Sequence, residues 1–339
     1  MNDDIGNAAS GGATRGTLRQ LPVTYSILDA QALAAFVEKA YAIGPPLSCE
    51  LLLPSMNDTY LVTSADRRYV LRVYRASWRS AGEIAYELDL LTYLAARSVR
   101  VSVPIPALDG RQFQSLLAPE GTRHIALFTH AEGQPLSWDN ADDCRQAGQL
   151  LAAIHAVSDD FVNLGTRAAL GGGQLVDRPA AALEPFFAHR MQDWAYVTAF
   201  SAKLRDRLAE LAPELNWGVC HGDFGGGNLT VDDTGPMAFD FDLCGPSWRA
   251  FDLAPIQMIA VSKKNPAIWD AFVRGYQERR PLAPADLTAA MLFCPVHRLW
   301  RLGMQAEHAQ EWGVVRLSDS VLDRELKAFR AWEAENGAR

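Results

Sequence analysis

The chain of 339 residues is 49% hydrophobic and 21% charged, ordinary globular usage that excludes wholesale disorder and leaves room for about two domains or lobes. Lys plus Arg number 32 and Asp plus Glu 40, a formal charge of −8 with no basic run, which speaks against a nucleic acid or an anionic membrane as partner but allows a basic pocket. The five cysteines show no CxxC spacing, the start Met1-Asn2-Asp3-Asp4 carries no basic and apolar leader, and no apolar run reaches membrane-spanning length, so a cytoplasmic protein without a disulfide framework or zinc ribbon is expected.

Residues 1–22 form a small, polar arm ending at Pro22. Leu33, Phe36, Val37 and Tyr41 then recur at helical spacing behind Asp29, a candidate N-cap, until Gly44-Pro45-Pro46 stops the run. Short β-type runs follow at 50–53, 59–63 and 69–74, the last two joined by the turn Ser64-Ala65-Asp66-Arg67 into an antiparallel hairpin. A helix over 83–97 puts Ile84, Leu88, Leu91 and Leu94 on one face, and 99–103, 113–117 and 124–129 return to extended chain. The turn-rich joint Ala131-Glu132-Gly133-Gln134-Pro135 separates this lobe, 23–130, from a second, 131–339. There helices are predicted over 141–157, 179–190 and 193–212, a β-rich patch over 219–241 and mainly helix over 250–335, with Gly171-Gly172-Gly173 as a loop. The fold class is therefore α+β: a small antiparallel-sheet lobe with one long helix, and a larger, mainly helical lobe.

One stretch carries chemistry. His221-Gly222-Asp223-Phe224-Gly225-Gly226-Gly227-Asn228 is followed by Met237-Ala238-Phe239-Asp240-Phe241-Asp242. Phosphoryl transfer needs a carboxylate to orient the attacking hydroxyl, and an amide and a second carboxylate to hold Mg²⁺ against the phosphates. Asn228 stands five positions after Asp223, the offset of the kinase loop H-R-D-x-x-x-x-N, and Asp240-Phe241 follows one hairpin later. The intervening glycines let the loop fold tightly, so that Asn228 turns back towards the metal. Each fragment alone is ordinary turn chemistry; together, at these offsets, they are specific. His221 reads as a brace for the loop, and His155, on an apolar helix face, as a satisfied core histidine. The seven histidines show no paired spacing of the kind a metal hydrolase needs.

With the Asp-Phe-Asp ending, Gly222 in place of the loop arginine, and the tail Arg249-Ala250-Phe251-Asp252-Leu253-Ala254, the chain resembles the aminoglycoside phosphotransferase and choline kinase superfamily, small-molecule kinases of protein-kinase-like fold, over about residues 22–335. Asn57-Asp58-Thr59-Tyr60-Leu61-Val62, Tyr69-Val70-Leu71-Arg72 and Glu87-Leu88 resemble most the group of the type II homoserine kinase and the YihE-like stress response kinase. The resemblance implies ATP as donor, Mg²⁺ as cation and a small-molecule hydroxyl as acceptor, on an amino alcohol or hydroxy amino acid. It makes Asp223 the catalytic aspartate, Asn228 and Asp240 the metal ligands, and Asp242 a further charge near metal or substrate. Arg72 falls where the phosphate-binding lysine usually stands, with Glu87 as its helix partner; a guanidinium keeps the charge but changes reach and geometry. Ser55, Asn57 and Thr59 take the place of a glycine-rich phosphate loop. Phe128, Thr129 and Ala131 resemble the hinge, where backbone groups of Thr129 and Ala131 would meet adenine.

For the acceptor, His297, Trp300 and Arg301 share a helical spacing, Arg298 or Arg301 suits a carboxylate, and Trp248 is a candidate pocket wall. Aromatic walls with acidic residues would instead suit a cationic acceptor, and the sequence leaves this choice open. Two other functions fit the same residues: a protein Ser/Thr kinase, and a non-catalytic nucleotide-binding module of the same fold. Nothing in the sequence fixes the oligomeric state.

Overall fold

Asp29 caps α1 (Ala30–Ala40), its carboxylate accepting the Ala32 N–H at 2.8 Å in a structure, a computed structural model, that describes residues 21–45, 48–65, 67–163 and 167–336. The arm expected over 1–22 lies outside these residues up to position 20, as do Pro46 and Asp66 of two expected turns. Beneath α1 runs an antiparallel sheet of β1 (Ser48–Pro54), β2 (Asn57–Ser64), β3 (Arg67–Tyr74), β4 (Pro104–Ile105), β5 (Gln114–Ala118) and β6 (Gly121–Thr129). The strand order is β1-β2-β3-β6-β4, with β5 also paired to β6. Leu33 and Val37 of α1 close a small core with Val62, Leu71, Val73 and Leu127 on one face of the sheet.

The other face is covered by α2 (Ala81–Ala95), which starts two residues before the expected boundary because Ser80 and Glu83 form a reciprocal capping box. Ile84, Leu88, Leu91 and Leu94 of α2 belong to the same continuous buried cluster as the helices of the second lobe. The extended stretch 99–103 also reaches across: Val101 bridges Ala238, and the Ser102 N–H bonds the Ala238 carbonyl at 3.0 Å.

The chain changes lobes at Gly133, whose φ of +108° suits glycine and where a Cβ would collide with the Val231 carbonyl. β7 (Gln134–Pro135) then pairs with β9 (Leu229–Asp232), itself paired with β10 (Gly235–Ala238); β8 (Trp217–Cys220) pairs with β11 (Gly245–Trp248), a strand the sequence pattern did not mark. These short ribbons sit among α3 (Ala141–Val157), α4 (Arg178–Leu183), α5 (Met191–Leu211), α6 (Ala254–Ser262), α7 (Pro266–Gln277), α8 (Pro284–Glu307), α9 (Ala309–Trp312) and α10 (Asp319–Asn336).

Three expectations are corrected. Gly172 and Gly173 are helical, the latter opening a π-helical turn over Gly173–Asp177, not part of a loop. The single helix expected over 179–190 breaks after α4 into a 3₁₀ turn at Glu184–Phe187, where Pro185 lacks the N–H an α-helix needs. The supposed loop Ser55–Thr59 shrinks to Ser55-Met56, because Asn57 already pairs in register with Tyr74, and Thr59 with Arg72. Among the described residues no helix is long and apolar enough to cross a membrane.

Candidate active site

The loop after β8 hangs from one buried carboxylate. Asp252 accepts the backbone N–H of His221 at 2.6 Å and of Gly222 at 2.8 Å, and His155 Nε2 bonds it at 3.0 Å. His155 Nδ1 in turn meets the Tyr276 hydroxyl at 2.8 Å. Burial alone would raise the Asp252 pKa, but these donors hold it below the ordinary carboxylate range. Cys220 lies within metal-ligand reach of His155 and Asp252, yet burial pushes its thiol far above its usual pKa, and Asp252 is already fully bonded. The cluster is therefore an anchor made of hydrogen bonds. His221 braces the loop from above: Nε2 donates to the Phe239 carbonyl at 3.1 Å and Nδ1 accepts the Asp223 N–H at 3.3 Å, which assigns the tautomer.

The loop then turns through its glycines and brings Asn228 back. Asn228 Nδ2 donates to the Asp223 carbonyl at 3.0 Å and to its carboxylate at 3.2 Å. The Phe239 N–H bonds the Asn228 carbonyl at 3.1 Å, so the hairpin β9–β10 delivers Asp240 beside the amide. Asp240 has φ +63°, a left-handed conformation rare outside glycine and held only where surroundings dictate it. From the sheet lobe, Arg72 reaches over with one Nη at 2.6 Å from Glu87 and the other at 2.8 Å from Asp240. Tyr74 donates to the second oxygen of Glu87 at 3.1 Å. Burial raises the pKa of Glu87 and opposes the charge on Arg72, but Glu87 and Asp240 together keep the guanidinium firmly protonated. Asn57, Thr59, Arg72 and Tyr74 share one face of the β2–β3 ribbon, since register partners point the same way.

Other expected site residues lie elsewhere. Asp242 is buried, bonded by Trp78 Nε1 and Arg79, while Arg167 and Arg79 bond its carbonyl. Burial would raise its pKa, but Arg79, Arg72 and Arg167 hold it low. It thus ties the α2 end of the sheet lobe to the segment after the β9–β10 hairpin and is not brought to an open surface. Trp248 packs edge-on against Trp217 at 5.0 Å, on the β8–β11 ribbon, and walls neither cavity beside the loop. Phe128 lies under Arg72 at 5.1 Å. At the hinge, the Thr129 N–H bonds the Val103 carbonyl at 2.9 Å and the Thr129 carbonyl accepts the Ser102 hydroxyl at 2.6 Å, which leaves that oxygen one further lone pair. The Ser55 carbonyl is taken by Arg75 at 2.8 Å, whereas the buried Asn57 Oδ1 has no partner. Asp252, Trp78, Arg79 and Arg167 are the residues that sequence reasoning missed; a lone carboxylate between Phe251 and Leu253 was the one legible sign among them.

Beside Asp223 opens a cavity of about 520 Å³. Arg301 on its wall bonds Asp223 at 3.0 Å, and Arg298 bonds Glu325 at 2.9 Å. Trp300 lines a second cavity with Met304 and His308 while its ring meets that of His297 edge-on at 5.8 Å, so these two helical neighbours touch, although only His297 and Arg301 line the Asp223 cavity. His297 lines the Asp223 cavity, 4% exposed, with neither ring nitrogen bonded. Burial first, and Arg301 second, push its pKa from 6.5 down to about 4. Between those values the unfolded chain binds a proton that the folded chain refuses, so stability is complete above pH 6.5 and falls on acidification by about 1.4 kcal/mol per pH unit. Urea titrations at pH 7 and 5 should therefore show His297→Leu losing about 2 kcal/mol less than wild type. Equal losses in both proteins would remove His297 from this role.

The donor set suits a hard divalent cation. With its nitrogen bound to Asp223, Asn228 offers an amide oxygen, and Asp240, its side chain 42% exposed, keeps one oxygen beyond that held by Arg72. All are oxygen ligands, the few that Mg²⁺ takes from protein when phosphates and water complete its shell.

Residues 54–287 match the model of the phosphotransferase enzyme family. The chain belongs to that family. This phosphotransferase is 37% identical to an uncharacterized protein of Deinococcus radiodurans, over 94% of each chain. It is 29% identical to a homoserine kinase of Caulobacter vibrioides, over 78% of its own length and 83% of that protein. Its fold matches that of a microcompartment-associated aminopropanol kinase with a TM-score of 0.66 at 23% identity, covering 89% of this phosphotransferase and 95% of the other chain. The phosphotransferase thus has the α+β, protein-kinase-like fold that the sequence led one to expect.

Proposed function

We propose that this phosphotransferase moves the γ-phosphate of ATP, with Mg²⁺, to a hydroxyl of a small molecule. Residues 23–130 form its nucleotide lobe and 131–339 its catalytic and acceptor lobe. The observation that carries the reading is the chain Glu87–Arg72–Asp240, with contacts of 2.6 and 2.8 Å spanning from α2 to the catalytic hairpin. It couples a phosphate-binding cation on the sheet to a metal-binding carboxylate, the two charges that phosphoryl transfer needs in fixed relation.

Asp223 accepts a hydrogen bond from the acceptor hydroxyl and takes its proton as the new oxygen–phosphorus bond forms and ADP leaves. Arg301 and Asn228 hold that carboxylate in one orientation from two sides. Asn228 and Asp240 would hold Mg²⁺, which would supply charge neutralisation at the phosphates. Arg72 grips phosphate oxygens with the edge of its guanidinium not engaged by Glu87 and Asp240. Asn57 and Thr59, on the same sheet face, supply polar contacts to the phosphates, and the Thr129 carbonyl and Ala131 N–H face the adenine edge. The cavity of about 520 Å³ is of a size for a small acceptor and favours it over a protein substrate.

The test is ADP release over amino alcohols, hydroxy amino acids, sugars and aminoglycosides, with Asp223→Ala as blank, alongside ATP binding with and without Mg²⁺. Acceptor-dependent ADP above the blank is expected. So is Mg²⁺-dependent ATP binding that Asp240→Ala weakens about tenfold or more. ATP binding indifferent both to Mg²⁺ and to that substitution would refute the assignment.

A further inference from the structure

The wall of the Asp223 cavity carries a surplus of positive charge. Arg298 and Arg301 come from α8, Arg316 from the 3₁₀ turn Val315–Leu317 and Arg324 from α10. Four guanidiniums face two carboxylates, Asp223 and Glu325, a surplus of two positive charges in a chain of formal charge −8. Both carboxylates are already engaged. Glu325 lies between Arg298 at 2.9 Å and Arg324 at 3.3 Å, and Asp223 holds Arg301 at 3.0 Å and Asn228 at 3.2 Å. Arg316 has no hydrogen bond or ion pair among the described residues.

His297 gives an independent sign of a missing polar ligand. A ring 96% buried with neither nitrogen bonded is costly unless something in the cavity that it lines completes its bonding. The features that a cationic acceptor requires are lacking. Among the described residues no Trp, Tyr or Phe lines this cavity, and both of its carboxylates are already engaged.

Resting on the phosphotransferase reading above, we propose that the acceptor is an anionic hydroxy compound without an ammonium group: a hydroxy or sugar acid, or a sugar phosphate. Its oxyanion binds Arg301 and Arg316, with Arg298 beside them, and its hydroxyl lies at Asp223. Arg301 sets the geometry. One Nη holds Asp223, and the remaining N–H groups of the same planar fork meet the substrate oxyanion, so a hydroxyl a few carbons from that anion falls next to the catalytic carboxylate. The surplus positive charge also offsets the repulsion of bringing an anionic acceptor up to the phosphates.

The test compares kcat/KM for ADP formation with acceptors of one skeleton: glycerate, glycerol 3-phosphate, glycerol and 3-aminopropane-1,2-diol. Wild type should prefer at least one of the two anions over glycerol by about tenfold or more, with the amine worst. The better anion tells whether carboxylate or phosphate is recognised. In Arg316→Ala, an exposed position, the anion-to-glycerol ratio should fall about tenfold through KM. Glycerol or the amine used as well as either anion overturns the proposal while leaving the phosphotransferase reading standing. If no member of the set yields ADP above the Asp223→Ala blank, calorimetry with glycerate, glycerol 3-phosphate and inorganic phosphate decides. Binding of one anion tighter than about 1 mM, lost in Arg316→Ala, sustains the proposal, and no such binding ends it. Mg²⁺-dependent ATP binding judges the broader reading separately.

Discussion

Asp223→Asn is expected to lower turnover by about 10²–10⁴-fold, the usual contribution of a positioned general base, while ATP affinity changes by less than about threefold. The substitution keeps the shape of the side chain and one oxygen for Arg301, now 3.0 Å away, so the loop has no reason to collapse. What it removes is the acceptor site for the hydroxyl proton and the full negative charge that orients that hydroxyl. The residue is bonded to Arg301 and Asn228, whereas Arg72, Glu87 and Asp240, to which the proposed function gives the nucleotide, form a separate chain of contacts. Binding and chemistry should therefore separate: isothermal titration with ATP and Mg²⁺ gives the first, single-turnover ADP formation the second. A purely structural Asp223 predicts the reverse pattern, with turnover kept per folded molecule and the unfolding midpoint lowered. Turnover within about threefold of wild type would exclude the catalytic assignment.

The part of this site that could be read from sequence is the part whose geometry is local. Asp223, Asn228 and Asp240 sit on one loop and one hairpin, so their offsets alone carry the arrangement, and the bonds Asn228–Asp223 and Phe239–Asn228 realise it. Asp29 and α3 were legible for the same reason: a cap and an apolar stripe are properties of a few neighbouring residues. What stayed hidden depends on contacts between distant positions. Trp78 meets Asp242 across 164 residues and Arg123 meets Asp58 across 65, and no periodicity announces either. Asp242 consequently looks, in sequence, like a second exposed carboxylate of the metal loop, yet it is the buried tie between lobes. α8 shows the limit of face-counting. Its apolar spacing marks a helix, but that helix borders two cavities, so His297 and Arg301 line one and Trp300 the other even though the rings of His297 and Trp300 touch. β11 escaped because Gly245-Pro246-Ser247-Trp248 has no β-type alternation; it is a strand only because β8 lies beside it.

The second large effect should come from Asp252, which touches no reacting group. Asp252→Ala leaves the N–H groups of His221 and Gly222 and the ring of His155 without their acceptor, all within the buried base of the loop. Each orphaned buried donor costs about 1–3 kcal/mol, so a loss of about 3–9 kcal/mol is expected against a typical total of about 5–15. Asn at this position is not a neutral substitute. The two backbone N–H groups bond different carboxylate oxygens, and an amide nitrogen would face one of them donor to donor. His155 could turn to another partner only by breaking its bond to Tyr276. The loop it anchors carries Asp223, so Asp252→Asn should also lower kcat per folded molecule, measured well below the melting transition, with a smaller effect on ATP binding. Asp252 is thereby a positioning residue, and the split between kcat and ATP affinity separates that role from general destabilisation. Urea unfolding of Asp252→Ala within about 0.5 kcal/mol of wild type would show that the loop stands without it, and the anchoring role would have to be given up.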